Sequence, residues 1–338
     1  MKKFAASATY ALAIIVFILI GWFGHVLYTL PRNTSPITEA VSQIKPTPLA
    51  KYTIENLSNT TFKESKIEIG EVLSEDEKFT SYKYSMSFNP NLSEETKTTT
   101  GMLNIPKKEG SFPIIVMFRG FVNQEIYVTG IGTKPSATAF AENGYITIAP
   151  DFLGYGESDK EASDIFESRF QTYVTAAATL KSIGSIEKWD KTNAFIWGHS
   201  NGGQIALTTL EITGVEYPTV LWAPVGRPFP ASILYYIDGA NDNGKLLIKE
   251  LAEFQDVYNS QEFSLTQYFD KINAPIEINQ GTADTAVPYW WSDELVKSLK
   301  DVDVNTTYKK YLGADHNMVP SWNNAIENSL LFFNSRMK

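Results

Sequence analysis

The stretch Asn193-Ala194-Phe195-Ile196-Trp197-Gly198-His199-Ser200-Asn201-Gly202-Gly203-Gln204-Ile205-Ala206-Leu207-Thr208-Thr209-Leu210 decides how this chain is read. Its opening, through Trp197, is the short apolar run that a strand buried on both faces leaves in a sequence. Its close, Asn201 to Leu210, has the length and composition of a helix. Between them, Gly198-His199-Ser200-Asn201-Gly202 has the form G-x-S-x-G. A serine on a sharp strand-to-helix turn is held at a strained backbone angle with its hydroxyl above the sheet. The flanking glycines let neighbouring backbone pass close by, and Gly202-Gly203 let the helix approach the strand. Alone the five-residue pattern is a weak signal; the strand before it and the helix after it give it meaning.

Working outward, comparable apolar runs recur at Pro113 to Phe118, Tyr145 to Ile148, Thr219 to Trp222 and Pro275 to Ile278. Segments of helical length separate them: Pro135 to Asn143, Ile165 to Ile183 and Tyr289 to Lys300. Strand alternating with helix predicts an α/β fold, a mostly parallel central sheet with helices on both faces. Nearer the N-terminus, Ser81 to Phe88 alternates with the period of two of a half-exposed strand, and Thr98 to Ile105 is a second candidate. This start fits hairpin-linked strands ahead of the parallel ones. About 50 residues part Trp222 from Pro275, more than a crossover needs. Residues 223–274, with the amphipathic run Lys245 to Tyr258, are therefore expected to form a helical cap or lid over the C-terminal sheet edge, where open α/β sheets bind ligands.

The 338 residues suit one substantial domain with an N-terminal segment left over. The net charge of −9 argues against nucleic acid as a partner, since phosphate binding needs a basic surface. The absence of cysteine excludes disulfides, cysteine-ligated zinc and thiol catalysis. At the N-terminus, Lys2 and Lys3 precede a run from Tyr10 to Leu30 in which only His25 can titrate. About 20 apolar residues as a helix cross a bilayer core of roughly 30 Å. A cleaved signal peptide is the alternative, but the run exceeds the usual apolar stretch and no small-x-small site closes it. Trp22, Phe23 and Tyr28 suit an interfacial aromatic belt, and the two lysines favour an N-terminus inside, with Arg32 weakening the bias. The expected organisation is a cytoplasmic N-terminus (1–9), a transmembrane signal anchor (10–30), a Pro-rich stalk (31–50) and an extracytoplasmic domain (51–338).

A serine hydroxyl is a poor nucleophile without an adjacent base. Of the three histidines, His25 lies in the apolar N-terminal run and His199 sits across a sharp turn from the serine. That leaves His316, in the loop Leu312-Gly313-Ala314-Asp315-His316-Asn317 between a strand-like run (Thr307 to Tyr311) and a C-terminal helix (Trp322 to Met337). The third member must orient the imidazole. Asp284 follows the strand candidate ending near Asn279 and lies at the same sheet edge. Asp315 is too near His316 in the chain, Asp238 and Asp242 read as turn formers, and Asp293 lies inside a helix. The order Ser200, Asp284, His316 is the one this architecture uses. Donors for a developing oxyanion are expected at the backbone N–H of Asn201, at a helix start, and of Phe121, in the loop after Phe118.

With these residues in view, Thr98 to Lys338 resembles the α/β-hydrolase superfamily, nearest the catalytic domains of prolyl oligopeptidases and the dienelactone hydrolase or acetyl xylan esterase groups. The carrying motifs are Phe118-Arg119-Gly120-Phe121, Asp151-Phe152-Leu153-Gly154-Tyr155-Gly156-Glu157-Ser158, Gly198-His199-Ser200-Asn201-Gly202-Gly203, Gln280-Gly281-Thr282-Ala283-Asp284 and Gly313-Ala314-Asp315-His316. The resemblance implies an α/β-hydrolase fold and acyl transfer through an acyl-enzyme on Ser200, with no metal or organic cofactor. The expected substrate is a small ester or a short peptide, and the motifs do not separate the two. A catalytically silent binding module on a membrane stalk is a third reading, weakened by the presence of all three triad residues. Many relatives carry His-Gly where this chain has Arg119-Gly120. The roughly 60 residues between stalk and sheet cannot hold the propeller of a prolyl oligopeptidase, so the gating such a propeller implies is not carried over. A histidine base also implies activity that falls in mildly acidic solution.

Overall fold

The apolar runs become strands because only a sheet covered on both sides removes both of their faces from water. The computed structural model describes residues 45–239 and 242–338, and Thr47–Lys338 forms one unit of the chain. The expected anchor (10–30) lies outside the described residues, as does most of the stalk. Among the described residues, no helix is long and apolar enough to cross a membrane.

The strands are β1 (Glu68–Glu75), β2 (Phe79–Phe88), β3 (Lys97–Pro106), β4 (Phe112–Phe118), β5 (Ile146–Pro150), β6 (Trp189–His199), β7 (Thr219–Trp222), β8 (Ile276–Gly281) and β9 (Thr306–Tyr311). They make one sheet in the order β1-β2-β3-β5-β4-β6-β7-β8-β9. β1, β2 and β3 are antiparallel neighbours, β3 runs antiparallel to β5, and the strands from β5 across to β9 are parallel. The helices are α1 (Ile54–Ser58), α2 (Lys134–Glu142), α3 (Ile165–Ser182), α4 (Asn201–Thr213), α5 (Ala231–Leu234), α6 (Lys245–Gln255), α7 (Tyr289–Asp301) and α8 (Trp322–Asn334). This is the α/β-hydrolase fold, with a mostly parallel sheet.

Alternation along each buried strand divides the core in two. Ile114, Val116 and Phe118 of β4 join Phe170 of α3 and Leu207 of α4 on one face. Ile115 and Met117 join Trp197, Trp222, Phe140 of α2 and Phe333 of α8 on the other. Burying one such side chain stabilises the fold by about 1.5–3 kcal/mol. From β4 the chain passes outward to β5, then returns past β4 to β6. The winding therefore reverses between β4 and β6, the switch point where open α/β sheets leave a crevice beyond their strand ends.

Two elements differ from the sequence expectation. β1 was not foreseen, because it is exposed along its length and carries no burial pattern. It is an edge strand, and Glu68, Glu71 and Glu75 set charge along it, which discourages pairing with another chain. The segment expected as a cap, 223–274, forms α5, α6 and short 3₁₀ turns. Its phenylalanines are drawn into the core: Phe254 lies 4.8 Å, centroid to centroid, from Phe166, and Phe263 stacks 4.8 Å from Phe170. The segment thus packs along α3. It touches the loop that carries Asp284 at Tyr236, whose hydroxyl donates to Ala286 O at 3.2 Å, and at Val225, which packs with Val287.

Candidate active site

Ser200 joins β6 to α4 with φ 56° and ψ −120°. An L-residue held in that region costs on the order of 1–3 kcal/mol, so the surrounding structure must enforce it. Its N–H donates to Trp222 O at 2.9 Å, and its carbonyl accepts from Gly203 and Val225, each at 3.0 Å. Two glycines permit the close approaches around it. A Cβ on Gly202 would lie 1.9 Å from Phe118 O, and one on Gly120 would lie 3.1 Å from Ser200 Cβ. The first lets α4 begin hard against the end of β4, and the second lets the loop after β4 run alongside the serine.

Asp284 and His316 come together because the loops after β8 and β9 are laced to each other. Thr282 N donates to Tyr311 O at 3.0 Å, and Ala283 N to Ala314 O at 2.9 Å. Gly313 N donates to Thr282 Oγ1 at 2.9 Å. Across this lacing, His316 Nδ1–H donates to Asp284 Oδ2 at 2.8 Å. The Asp284 carboxylate is fully shielded from solvent. Oδ2 also accepts from Gln280 Nε2 at 3.1 Å, and Oδ1 accepts from Ala286 and Val287 N–H at 2.9 and 2.8 Å. Burial acts to raise its pKa, but the His316 and backbone hydrogen bonds outweigh burial and hold it below the ordinary value. The carboxylate therefore stays charged and keeps His316 Nδ1 protonated, leaving Nε2 as the basic nitrogen.

Ser200, His316 and Phe121 line one hollow of about 470 Å³, whose deeper wall includes Trp197, Trp222 and Trp322. None of the described residues of 223–274 lines it. Ser200 Oγ and the His316 ring are not hydrogen-bonded to each other in this structure. Such contacts often tighten only once substrate is bound. The N–H groups of Asn201 and Phe121 find no acceptor among the described residues, so both remain available to an oxyanion. The arrangement supplies what acyl transfer requires: a nucleophile on an elbow, an oriented imidazole and two unspent donors. No group of three or more His, Asp or Glu residues that could hold a metal occurs among the described residues.

His199 has a place the sequence did not reveal. Its Nε2 lies 3.0 Å from His316 O, and its ring stands 4.6 Å from the His316 ring. A carbonyl can only accept, so Nε2 carries the proton. Burial, then the neighbouring His316, push the His199 pKa down to about 4. It is thus a neutral donor that fixes the backbone of the histidine loop. Arg119, unassigned from sequence because its neighbour supplies a backbone donor, is buried at the root of the Phe121 loop. The signal for both was adjacency in sequence to a site residue.

Residues 133–336 match the model of the prolyl oligopeptidase family. The chain belongs to that family. It is a serine hydrolase of esterase or peptidase type. Among characterised relatives, an acetyl esterase of Xylanibacter ruminicola is 22% identical over 214 residues, 56% of this chain and 46% of its own length. The chain thus spans less than half of that relative. An acetyl xylan esterase from Paenibacillus sp. R4 superposes with a TM-score of 0.60 at 16% identity, covering 87% of this chain and 99% of its own. A puromycin-hydrolyzing peptidase of Mycobacterium tuberculosis gives a TM-score of 0.54 at 17% identity, covering 81% of this chain and 39% of its own.

Proposed function

We propose that this chain is a carboxylic ester hydrolase in which Ser200 is the nucleophile, His316 the base and Asp284 its orienting anion. The observation that carries the reading is the 2.8 Å His316–Asp284 bond at the rim of the hollow that also holds Ser200 on its strained elbow. His316 Nε2 takes the hydroxyl proton as Ser200 Oγ attacks the ester carbonyl. The resulting oxyanion is met by the N–H groups of Asn201 and Phe121. Collapse breaks the bond to the leaving alcohol, to which His316 returns the proton. Water, activated by the same imidazole, then attacks the acyl-enzyme, freeing the acid and restoring Ser200. No step calls for a cofactor.

An ester is favoured over a peptide by the likeness to an acetyl esterase in sequence and to an acetyl xylan esterase in fold. A small acyl group suits a hollow of about 470 Å³. The serine-peptidase reading retains the family match as its support. The test is turnover of an ester and an amide carrying the same acyl group, by the full chain and by Ser200→Ala. Ester cleavage alone, lost in the variant, is the expected result. Amide cleavage at comparable rates would make the enzyme a peptidase, and unchanged turnover in Ser200→Ala would remove the triad assignment.

The proposal includes an N-terminal anchor, Tyr10 to Leu30, that tethers the catalytic unit outside the cytoplasm, supported by the length of the uncharged run and by Lys2 and Lys3. Membrane fractions washed at alkaline pH should retain the protein. Recovery in the soluble fraction would remove the tether.

A further inference from the structure

Gly120 allows the loop after β4 to pass beside Ser200, but a glycine leaves the plane of the following peptide free to rotate. If the Gly120–Phe121 peptide turned over, a carbonyl would face the developing oxyanion where a donor is needed. Something must hold that plane, and the Phe121 side chain does not, being 79% exposed. The Gly120 carbonyl instead accepts from Arg119 Nη1 at 3.0 Å, while Arg119 Nη2 donates to Asp151 O at 2.9 Å. In a trans peptide the N–H points opposite to the C=O, and the Gly120–Phe121 bond is not among the cis bonds of the described residues. With Gly120 O directed at the buried guanidinium, the Phe121 N–H is directed away from it, toward the hollow that Gly120 and Phe121 line.

The guanidinium is 5% exposed as a residue and makes no ion pair with a carboxylate among the described residues. Its Cζ lies 3.9 Å from the centre of the Tyr155 ring, 4.7 Å from Tyr127 and 5.5 Å from Phe152. The nearby Asp151 carboxylate is occupied by Thr100 Oγ1, Tyr127 Oη and Thr129 Oγ1 at 2.7, 2.6 and 2.8 Å. The positive charge is therefore spent on carbonyl oxygens and aromatic faces. A cation at the oxygen end of a peptide also draws electron density from its nitrogen and strengthens the N–H as a donor. Tyr155 Oη secures the other side of Phe121 by donating to Val122 O at 3.1 Å.

We infer that Arg119 is a positioning residue of the oxyanion site, its guanidinium fixing the Gly120–Phe121 peptide so that the Phe121 N–H meets the oxyanion. The inference rests on Ser200 as nucleophile. Lysine keeps the charge but lacks the planar fork that reaches two carbonyls while stacked between rings.

The test compares the full chain with Arg119→Lys, Phe121→Pro, which deletes the donor, and the double variant, on an ester that the native enzyme hydrolyses. Losing an oxyanion donor lowers kcat by about 10²–10³-fold. Arg119→Lys should lower kcat about tenfold or more with KM changed by less than about threefold, and should add little once Phe121 is proline. Equal losses in both backgrounds, or a loss confined to KM, would overturn the role, since a general packing defect is blind to the Phe121 N–H. Should Arg119→Lys fail to fold, Arg119→Gln carries the same comparison. Full turnover by Ser200→Ala would bring down the underlying reading. An inactive Ser200→Ala beside Arg119 variants of native kcat would bring down this inference alone.

Discussion

The two sides of Ser200 solve one problem with opposite charges. On the β8–β9 side a buried anion, Asp284, is surrounded by N–H donors and spends one oxygen on orienting the His316 ring. On the β4–β5 side a buried cation, Arg119, is surrounded by carbonyls and ring faces and spends one N–H on orienting a peptide. Among the described residues, neither charge is neutralised by an ordinary ion pair with a fixed opposite charge. Each buried charge is held by dipoles, Asp284 by N–H donors and Arg119 by two carbonyls and ring faces with its Nε–H left without a partner among the described residues, which leaves its field directed at the group it holds. The comparison suggests that removing the charge on either side should change chemistry more than folding.

The largest effect should come from the anionic side. Asp284→Asn keeps the size of the side chain but can present an amide N–H to His316, favouring the wrong tautomer. A fall in kcat of about 10³–10⁴-fold with little change in KM is expected. A loss under tenfold would mean that His316 is oriented by something else. On the cationic side, Tyr155→Phe keeps the ring over Arg119 and deletes only the 3.1 Å bond to Val122 O. A kcat reduction of a few fold at most is expected, since one neutral hydrogen bond is worth about 0.5–1.5 kcal/mol. A loss as large as that of Arg119→Lys would move the clamp from the cation to the tyrosine.

The smallest effect at neutral pH, and one that grows in acid, concerns His199. Its pKa is near 4 in the folded protein against an ordinary 6.5, so between those values the unfolded chain binds the extra proton. Acidification from 6.5 toward 4 therefore draws this histidine toward the unfolded state. In melting curves, His199→Gln should be somewhat less stable than the native chain at pH 7.5, and the gap should narrow toward pH 4.5. A gap that widens in acid would mean that His199 is charged when folded. Asp284 works in the same sense: its lowered pKa contributes stability above the ordinary carboxylate value that is lost as pH falls below it. The difference between the native chain and His199→Gln isolates the histidine.

How much was legible beforehand follows from where each signal lives. The strand Thr219–Trp222 and helices such as Ile165–Ser182 were readable almost to the residue, because burial on both faces or one writes itself into local apolar periodicity. β1 was not, since an exposed edge strand buries nothing. The elbow was readable because a strained turn between strand and helix needs glycine at fixed offsets from Ser200, and His316 because so few histidines compete for its role. The place of 223–274 was not: amphipathy says that a helix has an apolar face, and not which neighbour covers it.

The sequence by itself determined the order of the strands from β2 onward and of the helices that alternate with them, the elbow and the identity of the residues able to do acid–base work, because each rests on local spacing or on scarcity. Asp284 was already the expected partner of His316; only the tertiary structure decided that His199 donates to the carbonyl of its fellow histidine and that the Arg119 guanidinium donates to Gly120 O. Those pairings join residues between 1 and 117 positions apart, with the nearest pair in sequence as hidden as the farthest. A hydrogen bond depends on where a side chain points in three dimensions, and no periodicity in the chain records that direction.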